Sequence, residues 1–131
     1  MSLEDKINEE MVVDTESVLE QYFDQANELF RIFGDGSIDI EDEFEAASWR
    51  EHVLIYLIGQ RYAYEGARAE SPTLSYNYFY ARLDVDDSTV REYMNELKDD
   101  LIVKKEEETN EWKLIPDNIP EALSRIEGLD E

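Results

Sequence analysis

Apolar positions recur at helical spacing between Thr15 and Phe33. Val18, Leu19, Tyr22, Phe23, Ala26, Leu29, Phe30 and Phe33 make one wide stripe, with Glu16, Glu20, Asp24 and Glu28 mostly opposite. The pattern predicts one amphipathic helix over 15–33, capped at Asp14 or Thr15 and ended by Gly34 in a left-handed conformation. The first dozen residues are less periodic and read as a frayed lead-in. "GDGSIDIEDEFEAA" (34–47) reads as a turn and acidic connector. A second helix is predicted from about Phe44 or Ala46 through Tyr64. Its middle, "HVLIYLIGQRYAY", is apolar almost all round, as the central helix of a small domain would be.

Pro72 marks a loop over 66–73, and 74–83 reads as a short helix. Asp84 to Asp87 form a turn, and Ser88 is expected to cap a helix lasting until about Asp100. In that helix Val90, Tyr93, Met94 and Leu97, with Leu101 one turn further on, define an inward face. Thr89, Arg91, Glu92, Asn95, Glu96 and Lys98 define the outward one. Alternation then predicts two strands, 101–105 and 111–115, with "EETN" at the hairpin tip. Pro116 stops the second strand, and Asn118 caps a last helix over 119–126 with Pro120 in its first turn. The expected architecture is mainly α with a small β-hairpin: an N-terminal helical extension and connector (1–45), then one domain (46–131).

Charge changes the picture more than composition does. The 131 residues are 42% hydrophobic with eight tyrosines, five phenylalanines and two tryptophans, which argues against disorder. Thirty-four acids against twelve bases leave a net charge of −22, at a self-repulsion cost in dilute buffer. Adaptation to molar salt, where the Debye length falls to about 3 Å, predicts dispersed acids and scarce lysine. The chain has both, with only Lys6, Lys98, Lys104, Lys105 and Lys113. Imitation of nucleic-acid phosphates and attraction to a basic partner are the competing explanations. The longest apolar run, "VLIYLI", is far too short to span a bilayer, and "MSLEDKINEE" has no signal-peptide character. No cysteine is present, so disulfides and thiolate chemistry are excluded. A cytoplasmic protein is the expectation.

The residues "LSYNYFYARLDVDDSTVREYMNELKDDLIVKK" put a polar turn, "DDST", before a valine, an inward leucine, and a hydrophobic entry into a hairpin. Here the chain resembles the winged helix-turn-helix superfamily, and within it archaeal regulators of MarR-like or TrmB-like type. The likeness covers about the last two-thirds of the chain and rests on apolar spacing. It implies a DNA-binding transcription regulator whose third helix enters the major groove. Ser88, Thr89, Arg91, Glu92 and Asn95 would then lie in the groove, with Arg91 suited to guanine and Asn95 to adenine. Lys98, Lys104, Lys105, Lys113 and Arg82 would reach phosphates. Against that pattern, Glu92, Glu96, Asp99 and Asp100 outnumber Arg91 and Lys98, whereas phosphate contacts normally come from Lys and Arg. An acidic adaptor that docks a protein is therefore the alternative, and a DNA mimic a third.

The remaining candidates are weaker. His52, the sole histidine, sits in the apolar central helix and reads as structural rather than as a ligand. A calcium loop from Asp35 would need glycine where Ile40 stands and glutamate where Ala46 stands. Tyr76, Tyr78, Phe79 and Tyr80 crowd one short helix; packing against the N-terminal helix is expected, with base stacking as the functional alternative. No nucleophile set and no phosphate loop is present, so no enzyme, cofactor or metal is expected. The 15–33 stripe predicts a homodimer or partner interface through Val18, Tyr22, Phe23, Leu29 and Phe30, helped by the C-terminal helix.

Overall fold

A computed structural model describes residues 2–10 and 15–126. The proposed cap at Asp14 lies outside them. The central element is helix α4 (Trp49–Glu65), numbered after three short helices that precede it: α1 (Leu3–Glu10), α2 (Thr15–Gln21) and α3 (Phe23–Asn27). Helix α4 begins later than expected because Ser48 builds a full capping box. Its hydroxyl accepts from the Glu51 amide, and the Glu51 carboxylate accepts from the Ser48 amide. The preceding Asp42–Phe44 is a separate 3-10 turn. Val53, Leu54, Ile55, Leu57 and Ile58 are all within 1% of complete burial, so α4 is covered on nearly every side. No helix among the described residues is long and apolar enough to cross a membrane.

The predicted helix over 15–33 is not one helix. It breaks at Tyr22 into α2 and α3, and from Phe30 the chain is extended. Strand β1 (Phe30–Ile32) pairs antiparallel with β2 (Ile38–Ile40), Arg31 opposite Asp39. The turn decides this. The Gly36 amide donates to the Phe33 carbonyl and the Phe33 amide to the Ser37 carbonyl, with Gly36 at φ +89°. That is a three-residue hairpin loop with glycine in the left-handed position. Burial of Phe30, Ile38 and Ile40 against α4 then outweighs the helical stripe. The hairpin comes so close that a Cβ on Gly59 would lie 2.9 Å from Ile38 Cγ2. Helices α2 and α3 are held to the same side of α4, where Tyr62 donates its hydroxyl to the Leu19 carbonyl at 2.6 Å.

Beyond α4, Thr73–Leu74 forms a short strand, β3, and Ser75 caps helix α5 (Tyr76–Arg82) through the Tyr78 amide. The predicted helix over 74–83 thus loses its first residues to a strand. Helix α6 (Asp87–Asp99) has Asp86 rather than Ser88 at its N-cap position, and packs Val90, Tyr93, Met94 and Leu97 inward. Strands β4 (Val103–Glu106) and β5 (Glu111–Leu114) form the expected hairpin, and β3 adds to its far edge. The sheet order is β3-β5-β4, all antiparallel, with Leu74 and Lys105 flanking Trp112 on either side. Trp112 and Leu114 point into the core.

Leu101 does not continue the inward face. It has φ +62°, is 64% exposed, and ends α6 in a Schellman arrangement: the Ile102 amide donates to the Leu97 carbonyl and the Leu101 amide to the Lys98 carbonyl. Ile102 takes the buried place instead. Asn118 is spent on this corner, its side-chain amide donating to the Leu101 carbonyl at 2.5 Å, and makes no side-chain cap for helix α7 (Ile119–Ser124). Arg125 ties α7 back to α6 through Asp100 at 3.0 Å. The protein is thus mostly helical with two small antiparallel sheets.

Candidate nucleic-acid interface

Helix α6 turns one face into the core and leaves Asp87, Ser88, Arg91, Glu92, Asn95, Glu96 and Lys98 exposed, with Thr89 half-buried at the edge. The α5–α6 turn and the β4–β5 hairpin flank that face. The cleft between α5, the start of α6 and the hairpin tip holds about 450 Å³, and Tyr76, Tyr80, Arg91, Thr109 and Asn110 line it. The turn is made by Leu83 burying its side chain while Asp84, Asp86 and Asp87 stay in water.

Each candidate cation has its own surroundings. The Arg91 guanidinium donates to the Tyr80 hydroxyl at 3.1 Å, which together with Asp87 holds it in the charged form. Asn95 donates its side-chain amide to the Arg91 carbonyl at 3.0 Å, one turn back on the same helix. Contact of that amide with an adenine would require this bond to open. The Arg82 guanidinium carbon lies over the Tyr78 ring, 3.6 Å from its centre, and the side chain donates to the Tyr78 carbonyl. Lys113 is paired with Glu106, whose carboxylate is driven below the usual range by that contact. Lys105 sits 5.7 Å from the Trp112 ring. Lys98 and Lys104 are exposed and make no ion pair within 4 Å among the described residues. Ser88, Thr89, Arg91, Asn95 and Lys98 thus lie on α6 and Lys104 and Lys105 on β4, whereas Arg82 is drawn with Tyr78 towards Tyr56 of α4 and Lys113 is neutralised.

The aromatic helix packs differently from expectation. Phe79 is buried, Tyr78 meets Tyr56 of α4 edge-on at 5.4 Å, and Tyr76 meets Trp112 at 5.9 Å and stacks on Tyr80. Its partners are α4 and the sheet rather than the N-terminal helices. His52 points its Nε2 at the Phe44 carbonyl, 2.8 Å away, and so fastens the 3-10 turn to α4.

The predicted partner interface is only partly a surface. Leu29 and Phe30 lie in the protomer's own core at 0% and 6% exposure, because the hairpin turns them onto α4, and they offer nothing to a second chain. Val18 and Tyr22 are half-buried against that core, and Phe23 is 52% exposed. Phe33, absent from the prediction, is 50% exposed at the end of β1. The alternation in "SIDI" and the "GDG" turn were the signals that would have found it. No family model, curated protein or solved structure matches the chain.

Proposed function

We propose that this protein is a small DNA-binding regulator built as a winged helix-turn-helix and suited to high salt. Strand β3 between α4 and α5, α6 leading directly into the β4–β5 hairpin, and β5 in the middle of the sheet support that reading. The observation that carries it is the polar face of α6, with Ser88, Thr89 and Arg91 near its start, Asn95 one turn further along, and Lys104 and Lys105 on the adjoining strand. In this reading the first turns of α6 enter a major groove and the hairpin follows the backbone beside it. Few free cations mean a small counterion-release contribution, so shape, hydroxyls and helix amides carry more of the binding than in a basic regulator.

The test is retention of genomic fragments on the immobilised full chain across KCl concentrations. Recurrent retention of the same fragments in molar KCl supports the proposal, and no retention at any salt overturns it. A second reading, an adaptor docking a protein through α6, is favoured by the exposed Glu92, Glu96 and Asp99 and by the internal engagement of Arg91, Asn95 and Lys113. A partner lost on Glu92→Lys/Glu96→Lys, together with absent DNA retention, would replace the first reading with this one.

A further inference from the structure

Apolar rings stay uncovered on the side of the molecule built by α2, α3 and the β1–β2 hairpin. Phe23 and Phe33 are each about half exposed. Two clefts meet there. One, of about 710 Å³, runs between α3 and the hairpin and has Phe23, Phe30, Ile32 and Phe33 in its wall. The other, of about 510 Å³, lies between α2 and the end of α4 and has Leu19 and Phe23 in its wall. Phe23 and Tyr62 line both, so the two clefts adjoin at the Phe23 ring, edge-on to Tyr62 at 6.3 Å, as the two limbs of a trough.

The rims carry one sign of charge. Glu28, Glu41 and Glu43 border the first cleft, and Glu16, Glu20, Asp24 and Glu65 the second. Arg31 is the one cation among the lining residues, and Asp39 at 2.7 Å and Glu41 at 3.1 Å already hold it. Exposed apolar rings with acids beside them match an amphipathic helix whose apolar stripe is flanked by Lys and Arg.

We propose that this trough docks a basic amphipathic helix of a partner protein, its apolar stripe seated on Phe23 and Phe33. Charge selects that occupant over the others. A two-fold contact between copies is isologous and would lay each acidic rim against its own image. An anionic membrane surface meets the same repulsion. Helix α1 of this chain, with Glu4 and Asp5 against Lys6, has the wrong sign. None of the residues placed at the α6 interface lines the trough, so this proposal does not rest on the DNA-binding reading.

Calorimetric titration of the full chain with a synthetic leucine-striped, lysine- and arginine-flanked helix tests it. The controls are a scrambled peptide of equal composition and a leucine–glutamate helix. One-to-one binding is expected for the striped basic peptide. Binding should weaken by about tenfold or more in Phe23→Ser/Phe33→Ser and in Glu20→Lys/Glu43→Lys. It should be unchanged in Glu107→Lys/Glu108→Lys, which alters charge at the hairpin tip. All six positions are exposed, and circular dichroism checks that each variant keeps its fold. Equal binding of the scrambled peptide, or equal loss on changing the hairpin tip, would reduce the effect to general attraction by a chain of charge −22 and overturn the proposal. So would absence of binding, or a dimer in light scattering that dissociates on Phe23→Ser.

Discussion

Leu101 holds a backbone conformation that costs an L-residue about 1–2 kcal/mol, and its side chain recovers little because it lies in water. Glycine there would remove the penalty, offset in part by about 0.5–1 kcal/mol of extra chain entropy. Leu101→Gly is expected to stabilise the protein by about 0.5–1 kcal/mol in urea denaturation at fixed KCl. The reverse holds at Gly36, where φ is +89° and a Cβ would stand 2.1 Å from the Arg68 carbonyl oxygen. Gly36→Ala should cost more than about 1 kcal/mol and weaken the β1–β2 hairpin first. Tyr62 reports through its proton. Burial pushes its hydroxyl from 10.0 up to about 12, and burial also raises Tyr56, Tyr78 and Tyr93. The folded state keeps these protons where the unfolded chain releases them. The Tyr62 contribution is therefore complete below about pH 10 and is lost as pH climbs towards about 12, and the other three act in the same direction. Tyr62→Phe should flatten that alkaline decline, followed by tyrosinate absorbance against circular dichroism; an unchanged slope would mean Tyr62 is not a principal group.

At the scale of elements, the Ser48 capping box fixes where α4 begins, and Ser48→Ala should lower stability by about 1 kcal/mol without changing the fold. On α6, Arg91→Ala should relax discrimination among DNA sites by about 1–3 kcal/mol, whereas Lys104→Ala should weaken all sites alike and reduce the salt slope by about one. Competition binding against several retained fragments separates the two. Helices α4 and α6 and the β4–β5 hairpin were legible because their apolar periods are long or clean: six apolar residues in a row in α4, Val90 to Leu97 in α6, and alternation through Trp112 and Leu114. The β1–β2 hairpin was not, because Leu29, Phe30 and Phe33 continue the helical period of the preceding residues, and the Gly36 turn with the packing of Ile38 on Gly59 overrides it. Strand β3 is two residues long and has no period to read. At the α6 interface the residue types and their grouping were legible. The Tyr80 and Glu106 contacts that engage Arg91 and Lys113 were not, since they depend on how α5 sits against α6 and on the register of the β4–β5 hairpin.

For the whole molecule, charge is the dominant fact. Thirty-four acids on 131 residues repel one another at low ionic strength, and salt relieves this within a Debye length. The thermal midpoint should rise steadily from dilute buffer to molar KCl, and a midpoint indifferent to KCl would contradict adaptation to salt. The same charge sets the shape of any DNA equilibrium, because affinity falls by about 0.9 log units per tenfold rise in salt for each phosphate neutralised. With Lys98 and Lys104 the cations on α6 and the hairpin that no acid, ring or hydroxyl engages among the described residues, the predicted fall is shallow. The central claim is that α6 and the adjoining hairpin form the DNA-contacting face. It is tested most directly by titrating the isotope-labelled full chain with a retained duplex in molar KCl and following its backbone amide signals. Shifts are expected to gather on Ser88 to Asn95 and on Lys104 to Asn110. Shifts gathered instead around Phe23 and Phe33, or none at any duplex concentration, would contradict it.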